Sequence, residues 1–317
     1  MRVVQPFRAS AAASSIDPPP VREVPTFSVL VGSLMVLATG VVFSFGGLAF
    51  RLTDDVNAWQ YVIFRGLGAF AVTALVLAHR HRGRRRRLLR SIERSHVVAG
   101  MLLAAISALF IVSLERASVA FVLFLQTLAP ITAAYFSWIL LRERVSNAVV
   151  LATVVSSGGV VVMFSATLTD RIDPLGLLAV FIPIVFGLYA TLIRRAHRID
   201  AQVPILVAGA TLAVIGLVGS LVTAGLDVSA KDALIGLFAG SALLAIPGAF
   251  FNHAARVVPA PETALLLMGE VILAPVWVWL FVDEQPELTT LVGGSIIFAA
   301  VFGLLLWRRQ QAVAEPS

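Results

Sequence analysis

Cysteine is absent from all 317 residues, which excludes a disulfide, a thiolate nucleophile and any thiolate-bound metal. Charge is scarce too: 13% of residues are charged against 59% hydrophobic. A soluble chain of that composition would leave large apolar patches in water, so a soluble protein is excluded. Histidine is limited to His79, His81, His96, His197 and His253. The first four read as loop residues, and no pair has the i,i+4 spacing on a spanning helix that a metal site would use. No Walker motif occurs, so ATP hydrolysis is not expected of this chain.

Long hydrophobic runs are abundant. Ten stretches, each long enough to cross a ~30 Å hydrocarbon core, fall at 27–50, 58–78, 97–114, 118–141, 146–166, 175–193, 203–223, 233–251, 260–282 and 288–307. Short links join them and leave no room for a soluble domain. The pI of 10.8 comes from clustered arginines: residues 79–96, HRHRGRRRRLLRSIERSH, carry eight of them between two spans. A basic loop there is the positive-inside signal and marks its face as cytoplasmic. Anionic lipid is its expected contact, and nucleic acid is not an expected partner.

Counting spans from that loop places both termini inside. Inside segments then hold nineteen basic residues, and outside loops hold Arg51, Arg116, Arg171 and Lys231, leaving Arg65 within a span. Residues 1–26, with SIDPPPVREVP, read as a disordered cytoplasmic tail, and 308–317 as a second cytoplasmic tail. A cleaved signal peptide is not expected, because the apolar core begins late and no small-residue cleavage site follows it. The expected location is a bacterial-type inner (plasma) membrane, crossed many times.

One stretch occurs twice. Residues 129–143 read APITAAYFSWILLRE and residues 270–284 read EVILAPVWVWLFVDE; a shift of 141 lays Trp138 on Trp279 and Glu143 on Glu284. The same shift lays Ala152 and Gly159 on Gly293 and Ala300, small residues that let membrane helices approach closely. These positions, like Gly236 and Gly240 in the eighth span, read as packing contacts. A repeat inside an all-membrane chain points to a transporter built from two related halves. Each half has five spans, an odd number, so the halves are inverted. The expected fold is all-α and integral to the membrane, with ten transmembrane helices as two inverted five-helix repeats, 27–166 and 173–307. The substrate site would lie between them near the midplane.

Ala129-Pro130 with Trp138 and Glu143, and Glu270-Val271 with Trp279 and Glu284, resemble the fourth-helix pattern of the EamA-type families of the drug/metabolite transporter superfamily. SLERAS (113–118) and HAARVVPAPE (253–262) look like that family's links into the fourth helix of each repeat. YVIFRGLGAF (61–70) is similar to its arginine-containing second helix, and DPLGLLAVFIPIVFGLYATLIRR (173–195) to the start of its second repeat. The resemblance covers about 27–307. It implies two five-helix repeats and export of amino acids, related metabolites or toxic solutes. Three departures stand out. Val271 replaces the usual proline, with Pro275 one turn later; VVFSFGGLAF (41–50) replaces a Trp-Gly pair; Arg142 and Asp283 replace the glycine before each terminal glutamate.

Among candidate residues, Arg65 lies seven residues into its span, roughly 10 Å deep. An arginine there costs at least ~2.5 kcal/mol on insertion scales and must face water, a partner or carbonyls. Its planar fork would suit a carboxylate or phosphate; the alternatives are snorkelling or an ion pair with Asp54 or Asp55. Glu270 sits between LLLMG and VILAP with no charged neighbour. Such a carboxyl can couple proton movement to solute movement or hold an ammonium group, or merely hydrogen-bond another helix. Gln126 lies four residues before Pro130, whose ring frees the Gln126 carbonyl, and reads equally as a substrate contact or as helix glue. Trp138 and Trp279 read first as interfacial anchors and second as pathway walls. Asn252 and His253 end the eighth span near the inner surface and read first as an interface, with Asn252 second as part of an inner vestibule; Tyr61, Tyr135 and Tyr189 are weaker wall candidates. Glu143 and Glu284 read as caps or loop partners, with Arg142 or Arg144 near the first.

These features describe a secondary transporter that moves a small-molecule solute by alternating access, with proton coupling open to it. Rival readings are an integral-membrane lipid-modifying enzyme and a solute channel. Isolated Arg65, Glu270 and His253 make no sequence-local catalytic constellation, so catalytic residues, cofactors and metals are not expected. Membrane lipid is an expected partner, with anionic lipid at loop 79–96, and a homodimer is compatible with the sequence.

Overall fold

The computed structural model describes residues 28–82, 92–117, 119–163, 165, 175–195, 200–282 and 288–314. The N-terminal tail, residues 83–91 of the basic loop 79–96, and Asp283 with Glu284 fall outside the described residues. Every regular element among the described residues is helical. Eight helices are long and apolar enough to cross a membrane: α1 Val29–Arg51, α2 Ala58–Arg80, α3 Arg94–Arg116, α4 Phe121–Leu141, α6 Gly176–Arg195, α7 Val203–Thr223, α8 Ala230–Ala254 and α9 Ala260–Phe281. Two shorter apolar stretches complete the set, α5 Asn147–Met163 and Leu291–Trp307, the latter within α10, Leu288–Ala314. Helix α10 outruns the apolar window because RRQQAVA, which follows Trp307, contains neither glycine nor proline to stop it.

Local chemistry sets several helix starts and stops. Ser28 accepts from Val31 N–H at the start of α1, and Asn57 and Gln60 form a reciprocal capping box at the start of α2. Ser229 caps α8 by accepting from Asp232 N–H. Helix α4 ends at Arg142, whose φ of 58° is left-handed, a conformation that glycine adopts with least strain. His79 and His96, read above as loop residues, are helical instead. His96 is buried in the first turn of α3, where Nδ1 accepts from Glu93 N–H, because apolar windows undercount the polar terminal turns of a helix.

Contacts between loops sort the connections onto two faces. On one face Glu143, after α4, pairs with Arg194 of α6 at 3.1 Å, and Arg194 Nη1 donates to the Arg256 carbonyl between α8 and α9. His81, after α2, lies 3.6 Å from Asp200 before α7 on that face. On the opposite face Lys231 of α8 reaches Asp54 before α2 at 2.7 Å, and Ala58 N–H donates to Glu115 of α3. Gln60 donates to the Gly225 and Asp227 carbonyls on the same side.

The buried residues form two cores. The larger gathers α2, α3, α6, α7 and α8, and the smaller joins α5 and α10 to α1 and α9. Where α5 meets α10, a Cβ on Gly159 would lie 2.9 Å from the Gly293 carbonyl, and one on Gly293 would lie 2.3 Å from the Gly159 carbonyl. These glycines are packing contacts, as their spacing suggested, and they exist because no side chain fits between the two backbones.

Candidate functional site

A cavity of about 110 Å³ lies inside the bundle, walled by α1, α2, α3, α4, α6, α8 and α9. Most of the wall is apolar, with Phe43, Phe110, Phe186 and Phe251 prominent; Arg65, Ser107, Gln126, Tyr189 and Glu270 supply its polar groups. Thus four of the residues singled out from sequence, on α2, α4, α6 and α9, meet at one place.

Four of the walls are interrupted helices. Helix α1 breaks at Ser44, between Val29–Phe43 and Phe45–Arg51; α4 breaks at Thr127 and Leu128, ahead of Ala129–Leu141. Helix α8 widens into a π turn at Ser241–Ala245 just before Pro247, and α9 breaks at Met268, between Ala260–Leu267 and Gly269–Val282. At each break, residues flanking it line the cavity: Phe43 and Gly46, Gln126 and Ala129, Leu244 and Gly248, Leu267 and Glu270. Irregular backbone at membrane depth is tolerated only where it is buried in protein or lines a water-filled cavity, and all four breaks converge on this one.

Arg65 is 5% exposed and its Nε donates to Ser107 Oγ at 3.0 Å, while Nη1 is buried with no hydrogen-bond partner. Tyr61, fully buried, is close enough to the guanidinium to interact electrostatically, but its hydroxyl makes no well-formed hydrogen bond. Tyr61 does not line the cavity, whereas Gln126 does, and its Nε2 is likewise buried without a partner. Buried polar groups are almost always paired, and two unpaired donors on one cavity wall, Arg65 Nη1 and Gln126 Nε2, point to a polar ligand or water. Glu270 is partly accessible, and its accessible surface faces the cavity. It and Arg65 feel each other's charge, yet no ion pair within 4.0 Å joins them. The alternatives for Arg65 were snorkelling and an ion pair with Asp54 or Asp55; it is buried, Asp54 pairs with Lys231, and neither aspartate lies within 4.0 Å of the guanidinium.

Comparisons with known proteins bear on the family and the fold. Residues 30–165 match the model of the EamA-like transporter family. The first half of the chain is EamA-like. Twenty-nine chains of solved structures are also similar to this chain. One of them, described only as a crystal structure of a protein, superposes with a TM-score of 0.76 at 17% identity, covering 89% of this chain and 99% of that one. At that identity the likeness shows the fold alone. No curated protein matches the chain in sequence.

The remaining candidates lie off the cavity. Trp138 is 60% exposed and Trp279 43%, both on the outer surface of the bundle, and Tyr135, one turn before Trp138, is exposed too. Asn252 is fully buried behind the wall, where Oδ1 accepts from Tyr189 Oη at 2.5 Å and Nδ2 donates to the Ala201 carbonyl. It positions Tyr189 and does not line the cavity. Glu143 pairs with Arg194 and not with Arg142 or Arg144, because the left-handed turn at Arg142 swings the chain toward α6. Among the described residues no three His, Asp or Glu side chains gather to hold a metal.

Two residues escaped the sequence reading. Ser107 steadies the guanidinium but resembles any serine in an apolar helix. Trp277 donates Nε1–H to Ser44 Oγ at 2.7 Å and stacks on Phe45 at 4.3 Å, closing the α1 break. A helix turns about 100° per residue, so only one tryptophan of the VWVWL run can face inward. The repeat drew attention to Trp279, the outward one.

Proposed function

We propose that the protein is a secondary carrier that moves a small solute past Arg65, Gln126, Tyr189 and Glu270 by alternating access. The observation that carries this reading is the buried, partnerless Arg65 Nη1 in a cavity that also holds a carboxyl. A fixed ion pair would have closed on itself; a cation and a carboxyl held apart in one chamber leave room for a polar guest. The phenylalanines around them suit the apolar part of that guest.

The ten-span, inverted-repeat arrangement is supported by register. Under the shift of 141, the α4 break at Thr127 falls on the α9 break at Met268, and Gln126 and Ala129 fall on Leu267 and Glu270, all at the cavity. Helix α4 ends on the face bearing Glu143 and Arg194, and α9 begins there, as inverted halves require. The arginine-rich segment after α2 opens from that same face, which we take as cytoplasmic, with both termini on it, in a bacterial-type inner membrane.

Glu270 is the one carboxyl in the cavity wall and so the proposed carrier of a coupling proton. The test is uptake of a labelled metabolite panel into proteoliposomes with and without a pH gradient, comparing wild type with Glu270→Gln. Gradient-driven accumulation that Glu270→Gln abolishes, with counterflow retained, supports the proposal. Accumulation untouched by Glu270→Gln removes proton coupling from it. Non-saturating flux without counterflow would make the protein a channel, and chemical conversion of lipid would make it an enzyme.

A further inference from the structure

Helix α8 serves two spaces. Leu244, Gly248 and Phe251 face the central cavity, while Ile246, Ala249, Phe250 and His253 wall a second, larger groove of about 330 Å³. Met35 of α1 and Val72, Val76 and Arg80 of α2 form its other side. Ile246 and Phe250 are 50% and 53% exposed, so the groove opens sideways from the bundle toward the bilayer.

Its chemistry is graded along the membrane normal. Arg80 is in the last turn of α2 and His253 in the last turn of α8, both on the face of Glu143 and Arg194. Toward the membrane interior the lining is apolar. No acidic residue lines the groove; Asp200 lies 3.6 Å from His81 and accepts from the backbone N–H of Gln202 at the groove's edge. Beyond Arg80 the chain continues into six more arginines by residue 90.

A packed neighbouring helix would leave Arg80 without a counter-charge. A water-soluble anion would gain nothing from Val76, Ile246 and Phe250. A cation at the depth of the headgroups above an apolar slot matches a molecule with a phosphate at one end and a hydrocarbon chain at the other. We propose that this groove binds an anionic phospholipid of the surrounding bilayer, with its phosphate at Arg80 and an acyl chain along Val76, Ile246 and Phe250. The bound chain then lies against the back of the π turn and Pro247 whose front lines the central cavity. The inference does not depend on the carrier reading.

The experiment uses the purified full chain, delipidated in detergent and titrated with phosphatidylglycerol or phosphatidylcholine of matched acyl chains, with retained lipids counted by native mass spectrometry. Phosphatidylglycerol should occupy the first site at least about fivefold more tightly, the effect of one basic residue near a headgroup. Arg80→Ala should remove about that factor. Ile246→Trp, at an exposed position that tolerates bulk, and Ala249→Leu should reduce retention of both lipids with no change in charge. Loss with Arg80→Ala but none with either filling variant would mean that the basic segment at large attracts lipid, and overturns the groove. Equal affinity for both lipids also overturns it.

Discussion

Replacing Gly240 by alanine asks whether the seam between α2 and α8 holds the buried cation in place. A methyl group there would lie 1.9 Å from the Arg65 carbonyl oxygen and 2.9 Å from Ala69 N. Ordinary contact begins at 3.4 Å, so the two backbones must part by about 1.5 Å. Neither obstacle is a side chain that can swing aside. Overpacking of this kind costs ~1–3 kcal/mol, and the higher helix propensity of alanine returns at most ~1, leaving a net loss of about 1–2 kcal/mol. The functional effect should be larger. Arg65 Nε meets Ser107 Oγ of α3 at 3.0 Å, and hydrogen bonds of this type tolerate only a few tenths of an ångström. Moving α2 by about 1.5 Å breaks that bond and turns the guanidinium away from the cavity, lowering solute affinity about tenfold or more. The assay is apparent unfolding temperature in detergent at one scan rate, paired with proteoliposome uptake. Gly158→Ala is the control, since a methyl there meets nothing within 4 Å. If Gly240→Ala unfolds and transports like Gly158→Ala, the rigid-seam argument is wrong.

Gln126→Leu should stabilise the fold by about 1 kcal/mol, because it removes a buried, unpaired donor, while solute uptake falls; a destabilised variant with normal uptake would contradict the assignment. Arg142→Gly should be stabilising by up to ~1 kcal/mol, since the residue sits exposed at φ 58°; a drop in unfolding temperature would show that the arginine side chain is needed. Arg194→Met should destabilise by about 1–2 kcal/mol, because it loses both the partly buried Glu143 pair and the bond to the Arg256 carbonyl. Lys231→Met, which removes an ion pair more than half exposed on each side, should leave stability unchanged; equal losses in the two variants would refute the distinction.

Much of the architecture was legible because hydrocarbon is an undemanding but strict solvent. It requires long apolar runs with their backbone hydrogen bonds satisfied internally, and such runs can be read without knowing their neighbours. Arg65 and Glu270 were legible for the same reason: a charge in an apolar run has to be accounted for. Trp279 read first as an interfacial anchor and second as a pathway wall, and it lies on the outer surface of the bundle. Trp277, two positions earlier, points the opposite way and closes the break in α1. Ser107 carried no signal, because a serine in a membrane helix matters only through what lies across from it. Glu143 was matched to its neighbours in sequence, and its partner Arg194 is 51 residues away.

The sequence by itself determined that this chain is a multi-pass helical membrane protein, where its helices run, which loops share a face, and that two buried charges needed explaining. All of these depend on transfer of residues between water and hydrocarbon, a property each residue carries alone or with near neighbours. Tertiary structure decided which of those residues meet: that Arg65, Gln126, Tyr189 and Glu270 share a chamber, that the breaks in α1, α4, α8 and α9 converge on it, and that Trp138 and Trp279 do not. Those facts depend on helix rotation and crossing. These are set where Gly240 admits the Arg65 backbone and Gly159 meets Gly293, by contacts between residues far apart in the chain.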